Sequence, residues 1–179
     1  MALLNSCRIW RVVLLGILAS GTGGAEIFNE YHVKAAFLYT FAKFVVWPPQ
    51  AFPSPSAEFA ICVLGTDPFG DFLDDAVRDK TIDGRPLGVH RMLELPVPPD
   101  CKILFIAASE RHRMPALLAL VAAPGVLTVG DTVDFAVQGG VIGLRLDGER
   151  IRLAINLPAS DKATLRISSR LLSLAAIVR

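Results

Sequence analysis

Two short stretches decide the architecture. Glu58 to Leu64 (EFAICVL) and Cys101 to Ala107 (CKILFIA) are nearly continuous apolar runs of strand length. A strand with one wet face alternates polar and apolar residues; a run that is apolar throughout must be covered on both faces, as in a parallel sheet. Parallel neighbours need a crossover between them, usually a helix. The chain is therefore expected to be α/β, a three-layer sandwich with a mainly parallel sheet.

The remaining elements follow from periodicity. Residues 26–46 read as a helix, with Phe37, Phe41 and Phe44 at i, i+4 and i+7 and Lys34 and Lys43 marking the wetter side. Trp47-Pro48-Pro49 ends it, since the residue before a proline is pushed out of the α region. After the first apolar run, Asp67 is an N-cap candidate with Pro68 at the first helical position, for a helix from Pro68 to about Arg78. Arg85 to Met92 is expected as a strand. After the second apolar run, Ser109 caps a helix over 110–121, with Pro115 kinking it or marking its real start. Val126 to Val129 is a further strand, followed by a short helix over Thr132 to Val137. Val141 to Leu146 and Arg150 to Leu157 flank Asp147-Gly148 and predict a C-terminal antiparallel hairpin. A last helix is expected from about Pro158 to Val178.

The first twenty-five residues read as an export signal. Arg8 and Arg11 precede an eight-residue apolar stretch, Val12 to Ala19, about half of what a bilayer crossing needs. Small residues follow, and Gly23 and Ala25 suit a signal-peptidase site, so cleavage is expected after Ala25. The expected organisation is a signal peptide over 1–25 and one α/β domain over 26–179, with no membrane span after cleavage. Cys7 leaves with the signal. Of 18 basic side chains, the loss of Arg8 and Arg11 leaves 16 against 17 acidic ones. That balance argues against nucleic-acid binding, which shows as a basic excess or patch. With 53 % apolar residues, intrinsic disorder is excluded as well.

Two cysteines remain in the mature chain, one inside each apolar run. In an oxidising compartment Cys62 and Cys101 read as a disulfide, and neighbouring strands lie within bridging distance. The alternative is two buried thiols acting as small hydrophobes. Two sulfurs without nearby histidines do not suggest a metal, and no C-x-x-C is present.

Catalytic motifs are missing from the sequence. There is no G-x-S-x-G, no G-x-x-x-x-G-K-[ST] and no H-E-x-x-H. His32, His90 and His112 fall on a helix, a strand and a charged helix start. No catalytic residue, metal or cofactor is expected. Open α/β sheets bind ligands at the carboxyl ends of their strands, so Thr66, Asp67, Ser109 and Asp131 would rim any binding cleft. The aromatic face around Phe37, Phe41 and Phe44 is read first as core packing, and second as a partly exposed face for dimer or partner contact.

Seven segments in order resemble the YfiR family of exported bacterial proteins: EYHVKAAFLYTFAKFVVWP (30–48), ICVLGTDPFG (61–70), CKILFI (101–106), LTVGD (127–131), GGVIGL (139–144), RIRLAINL (150–157) and ISSRLLSLA (167–175). The resemblance implies a periplasmic α/β domain that acts by binding. It implies a negative regulator that restrains an inner-membrane diguanylate cyclase or related sensor from its periplasmic side, so that release raises cyclic di-GMP and promotes biofilm. It implies disulfides tied to redox state, and a homodimer. Cys62 and Cys101 match one cysteine pair of the family; a second pair found near the Gly-Gly turn in some members is missing from 134–141 (DFAVQGGV). A second reading is a periplasmic small-molecule-binding module of a sensory or transport system.

Overall fold

The computed structural model describes residues 23–179; the export signal expected over 1–25 lies outside them up to residue 22. Among the described residues, ten strands and five α-helices succeed one another. Helix α1 (Gly23–Phe44) leads into strand β1 (Val45–Val46), a 3₁₀ turn (Pro49–Ala51) and β2 (Phe59–Leu64). Then come α2 (Asp71–Val77), β3 (Thr81–Ile82), β4 (Arg85–Met92) and β5 (Cys101–Ile106). A 3₁₀ segment (Ala108–Arg113) precedes α3 (Met114–Val121), β6 (Leu127–Gly130), β7 (Ile142–Asp147) and β8 (Arg150–Asn156). The chain closes with α4 (Leu157–Lys162), β9 (Arg166–Ile167), α5 (Ser169–Leu172) and β10 (Ala175–Val178).

Eight strands form the central sheet in the order β10-β8-β7-β6-β5-β2-β4-β3. The five from β4 through β2, β5 and β6 to β7 run parallel. β8 turns back antiparallel to β7 through a two-residue loop at Gly148-Glu149, the expected hairpin. The two apolar runs are β2 and β5, every residue of which is buried. Their side chains divide with the strand period of two. Phe59, Ile61 and Val63 join Ile103 and Phe105 in one cluster beneath α1 and α2. Ala60, Cys62 and Leu64 join Leu104 and Ile106 in a second cluster with Met114, Leu117, Leu118 and Val121 of α3. The sheet is thus covered on both sides, and the three-layer α/β expectation holds.

One irregularity in this pattern has a chemical consequence. Strict alternation would put Cys101 on the same face as Ile103. The β2–β5 register shifts between Ala60 and Ile61, so that Ala60 faces Cys101 while Ile61 faces Ile103. The extra residue, Lys102, turns Cys101 to the α3 side, where Cys62 lies, as a β-bulge does. The Cys62–Cys101 disulfide forms there, with the Cα atoms 5.9 Å apart.

Several expected boundaries move. α1 stops at Phe44, because β-branched Val45-Val46 pairs antiparallel with Arg166-Ile167 of β9. α2 starts at Asp71, three residues late: Asp67 does not cap it but folds an Asx turn, accepting from the Phe69 backbone N–H at 2.8 Å. Pro115 marks the real start of α3, preceded by the 3₁₀ segment, so Ser109 is not its cap. The helix expected over Thr132 to Val137 is a series of turns, with Asp134 at φ +61°. The long last helix is not there. Asn156 caps α4, its side chain accepting from Ala159 N–H at 2.9 Å, but that helix ends at Lys162 and Thr164 takes φ +56°. Ser168 caps the one-turn α5, and β10 then pairs parallel with β8. Apolar residues at helical spacing over 165–178 thus belong to a loop, a short strand, a turn of helix and another strand.

Candidate functional site

The expected rim sits where the parallel strands end. From β2 the chain passes through Gly65, Thr66 and Asp67. Gly65 has φ +96°, and a Cβ there would come within 2.5 Å of the Ser109 hydroxyl oxygen. Only glycine permits both that backbone and that approach. The closeness lets the Thr66 N–H donate to Ser109 Oγ at 3.0 Å, which ties the β2 and β5 loops together. Asp67 is fully engaged. One carboxylate oxygen accepts from Phe69 N–H, and the other takes the Arg91 Nε–H at 2.6 Å. The guanidinium of Arg91, on β4, also reaches Asp74 of α2 and the Gly70 carbonyl. That hydrogen bond holds the Asp74 carboxyl below its usual range, against a smaller opposing effect of burial. Arg91 itself is held well above its usual value by the same two aspartates.

Asp131, just past β6, belongs to a second network. Its Oδ2 accepts from Lys34 Nζ at 2.6 Å and from the Tyr31 hydroxyl at 2.9 Å, both on α1. Lys34 also pairs with Glu30 one helical turn away. Lys34 is only 1 % exposed, so the reading of its face as the wetter side is corrected. It is buried because α1 crosses the strand ends there and a carboxylate awaits it. Burial first, then the Asp131 charge and hydrogen bond, then Glu30, push the Tyr31 hydroxyl well above its ordinary pKa. The other Asp131 oxygen, Oδ1, and the neighbouring Thr132 hydroxyl are buried without a hydrogen-bond partner among the described residues. Tyr31 stacks edge-on against Phe69, and Phe69 against Phe105, which joins the two networks through aromatic contact.

The structure therefore brings Thr66, Asp67 and Ser109 together and places Asp131 in a separate, interior ion pair. None of the four lines the cleft of about 300 Å³ beside α3, whose lining includes Leu118, Val126, Thr128, Gln138, Asn156 and Lys162. Of the aromatic stripe, Phe41 is 0 % exposed, as the first reading of core packing expects, and offers no surface for the second; Phe37 and Phe44 are half-buried against that core. Sequence reasoning missed Lys34, Tyr31 and Arg91. The only signal for them was a basic residue inside an aromatic helical stretch, and a lone arginine within a strand.

Fold and rim define a three-layer α/β domain whose strand-end loops are fastened by their own charged side chains. Among the described residues no helix is long and apolar enough to cross a membrane. A profile of the YfiR/HmsC-like family matches residues 31–176. The chain belongs to that family. No curated protein matches it. Among solved structures it is similar to one described as a conserved domain protein from Vibrio cholerae O1 biovar El Tor, at 11 % identity and a TM-score of 0.49. The match covers 68 % of this chain and 55 % of that one, so the chain spans about half the length of that structure.

Proposed function

We propose that residues 26–179 form an exported, periplasmic regulatory binding protein that restrains an inner-membrane diguanylate cyclase or related sensor. The observation that carries this reading is the family match across 31–176, which takes in α1 from Tyr31 onward, the central sheet up to Ala176 and the cysteine pair. The strand-end rim is in keeping with it. Its aspartates are neutralised by Arg91 and Lys34 instead of being turned toward a substrate. Such a protein works by binding one conformation of its receptor better than another, because only differential affinity shifts an equilibrium. It needs no catalytic residue and no cofactor. Homodimer formation, with Phe37 and Phe44 as the contact residues left on the α1 face, is part of the same reading.

The second reading, a small-molecule-binding module, has the cleft beside α3 in its favour, with Thr128, Gln138 and Asn156 as polar groups in an apolar lining. Affinity capture of the tagged mature protein from a detergent-solubilised cell envelope separates the two. The regulatory reading expects co-purification of an inner-membrane protein with a diguanylate cyclase or kinase output domain. Recovery of transporter subunits, or of this protein alone, would contradict it.

A further inference from the structure

We propose that Glu58, His90 and Asp100 form a binding site for a divalent transition-metal cation of the zinc class. The three come from separate places in the sequence: the residue before β2, the middle of β4, and the residue before Cys101 at the start of β5. The sheet brings them together. His90 Nε2 lies 2.8 Å from Glu58 Oε1 and 3.9 Å from Asp100 Oδ2, and one ligand atom from each residue falls within 4.8 Å of the others. Zinc bonds of 2.0–2.2 Å to nitrogen and oxygen place tetrahedral ligands about 3.3–3.5 Å apart. The two His90 separations bracket that value and the third pair lies within 4.8 Å, so rotamer adjustments that change the separations by roughly an ångström would seat the ion.

Two further observations support the assignment. The first is steric. A Cβ on Gly88 would lie 1.7 Å from Glu58 Oε1, so the carboxylate reaches His90 only because β4 has no side chain at that position. The second is electrostatic. Among the described residues, His90 is the only ion-pair partner of either Glu58 or Asp100. The nearby cations make their hydrogen bonds elsewhere, although Lys102 still feels the Asp100 charge. Lys102 Nζ donates to the Pro99 carbonyl, and Arg85 to the carbonyls of Ser54 and Ala57. Two carboxylates and one imidazole carry the charge that a divalent ion balances. The imidazole selects first-row metals over calcium or magnesium. Three protein ligands leave one tetrahedral position for water.

The site would staple the strands that the disulfide also joins. His90 is the register partner of Cys62, and Asp100 adjoins Cys101. It extends that clamp to β4, whose outer side is covered by β3 only at Arg85 and Pro86. This inference does not depend on the regulatory reading.

Titration of the tag-free, oxidised mature protein with zinc sulfate tests it. One zinc per chain should bind, and a hundredfold excess over Kd should raise Tm by about 5–10 °C, while magnesium and calcium leave it unchanged. Glu58→Gln and His90→Gln should each weaken binding at least about tenfold, the scale at which even outer-shell partners of a metal register. Both should keep the wild-type Tm in EDTA, and His32→Gln should bind normally. If His90→Gln does not fold, Asp100→Asn takes its place. The cobalt-substituted protein should show visible d–d bands without thiolate charge transfer. No saturable zinc binding, binding that survives the ligand substitutions, an equal response to calcium, or a thiolate band would each overturn the assignment.

Discussion

At the scale of the residue, the most consequential side chain is Lys34. A charge taken out of water costs several kcal/mol unless it is paired, and breaking a buried pair leaves the survivor uncompensated. Asp131 supplies that pairing from the far end of the chain, and Glu30 supplies a second, less buried partner. Asp131→Ala should therefore cost about 3 kcal/mol, the lower end for a broken buried pair, because Glu30 remains. Chemical denaturation reads it directly; a loss below 1 kcal/mol would mean that the pair does not hold α1 to the sheet. Lys102 is the opposite case. It is 2 % exposed, and its ammonium donates one hydrogen bond, to the carbonyl of exposed Pro99, with the Phe52 ring 5.3 Å away and no carboxylate in ion-pair contact among the described residues. Burial lowers its pKa in the fold, outweighing the attraction of Asp100. A base with a depressed folded pKa weakens the fold while charged, and stability recovers as pH rises through the folded value toward the unfolded 10.5. Lys102→Met should stabilise the protein by about 1 kcal/mol at pH 7. Urea unfolding at pH 7 and near pH 10 should show that advantage shrinking with pH; a destabilised variant, or a constant gap, would contradict the sign.

At the scale of the element, the disulfide depends on the bulge at Lys102 as much as on the two cysteines. Closing a loop over a sequence separation of 39 is worth about 4 kcal/mol in the chain-entropy account. Replacing both Cys62 and Cys101 by alanine should lower stability by about that amount, measured against the oxidised wild type; an unchanged midpoint would show that the bridge does not constrain the unfolded chain. The strands that close it were legible, because β2 and β5 are apolar at nearly every position and no helical face reads that way over so short a length. The bulge was not, since nothing local to Ala60 or Lys102 marks a register shift. The last helix failed for a related reason. Leu165, Leu171, Leu172, Ala175 and Val178 have helical spacing, yet Leu165 and Leu171 are buried from a loop and a single turn, while Ala175 and Val178 lie on β10. Ser168 as a cap and the β-branched close of Ala-Ala-Ile-Val were the available signals. At the rim, Thr66, Asp67 and Ser109 lie in the loops that follow β2 and β5, a position legible from the turn residues that follow each apolar run. Their neutralising partners Arg91 and Lys34 lie 24 residues from Asp67 and 97 from Asp131, beyond the reach of any spacing argument.

At the scale of the molecule, the same features join the first helix, the sheet and the C-terminal segment around a fastened rim. α1 is tied to the sheet by Lys34 and to the C-terminal segment by β1–β9 pairing, and the hairpin and β10 complete one end of the sheet. On the proposed regulatory reading such fastening favours binding, because ordering a flexible surface on binding costs affinity. The measurement that bears most directly on this account is cyclic di-GMP in cells lacking the gene, complemented either with the full chain or with a copy missing residues 1–25. The account predicts a rise on deletion that the full chain reverses and the unexported copy does not. An unchanged level on deletion, or equal rescue by the unexported copy, would contradict it.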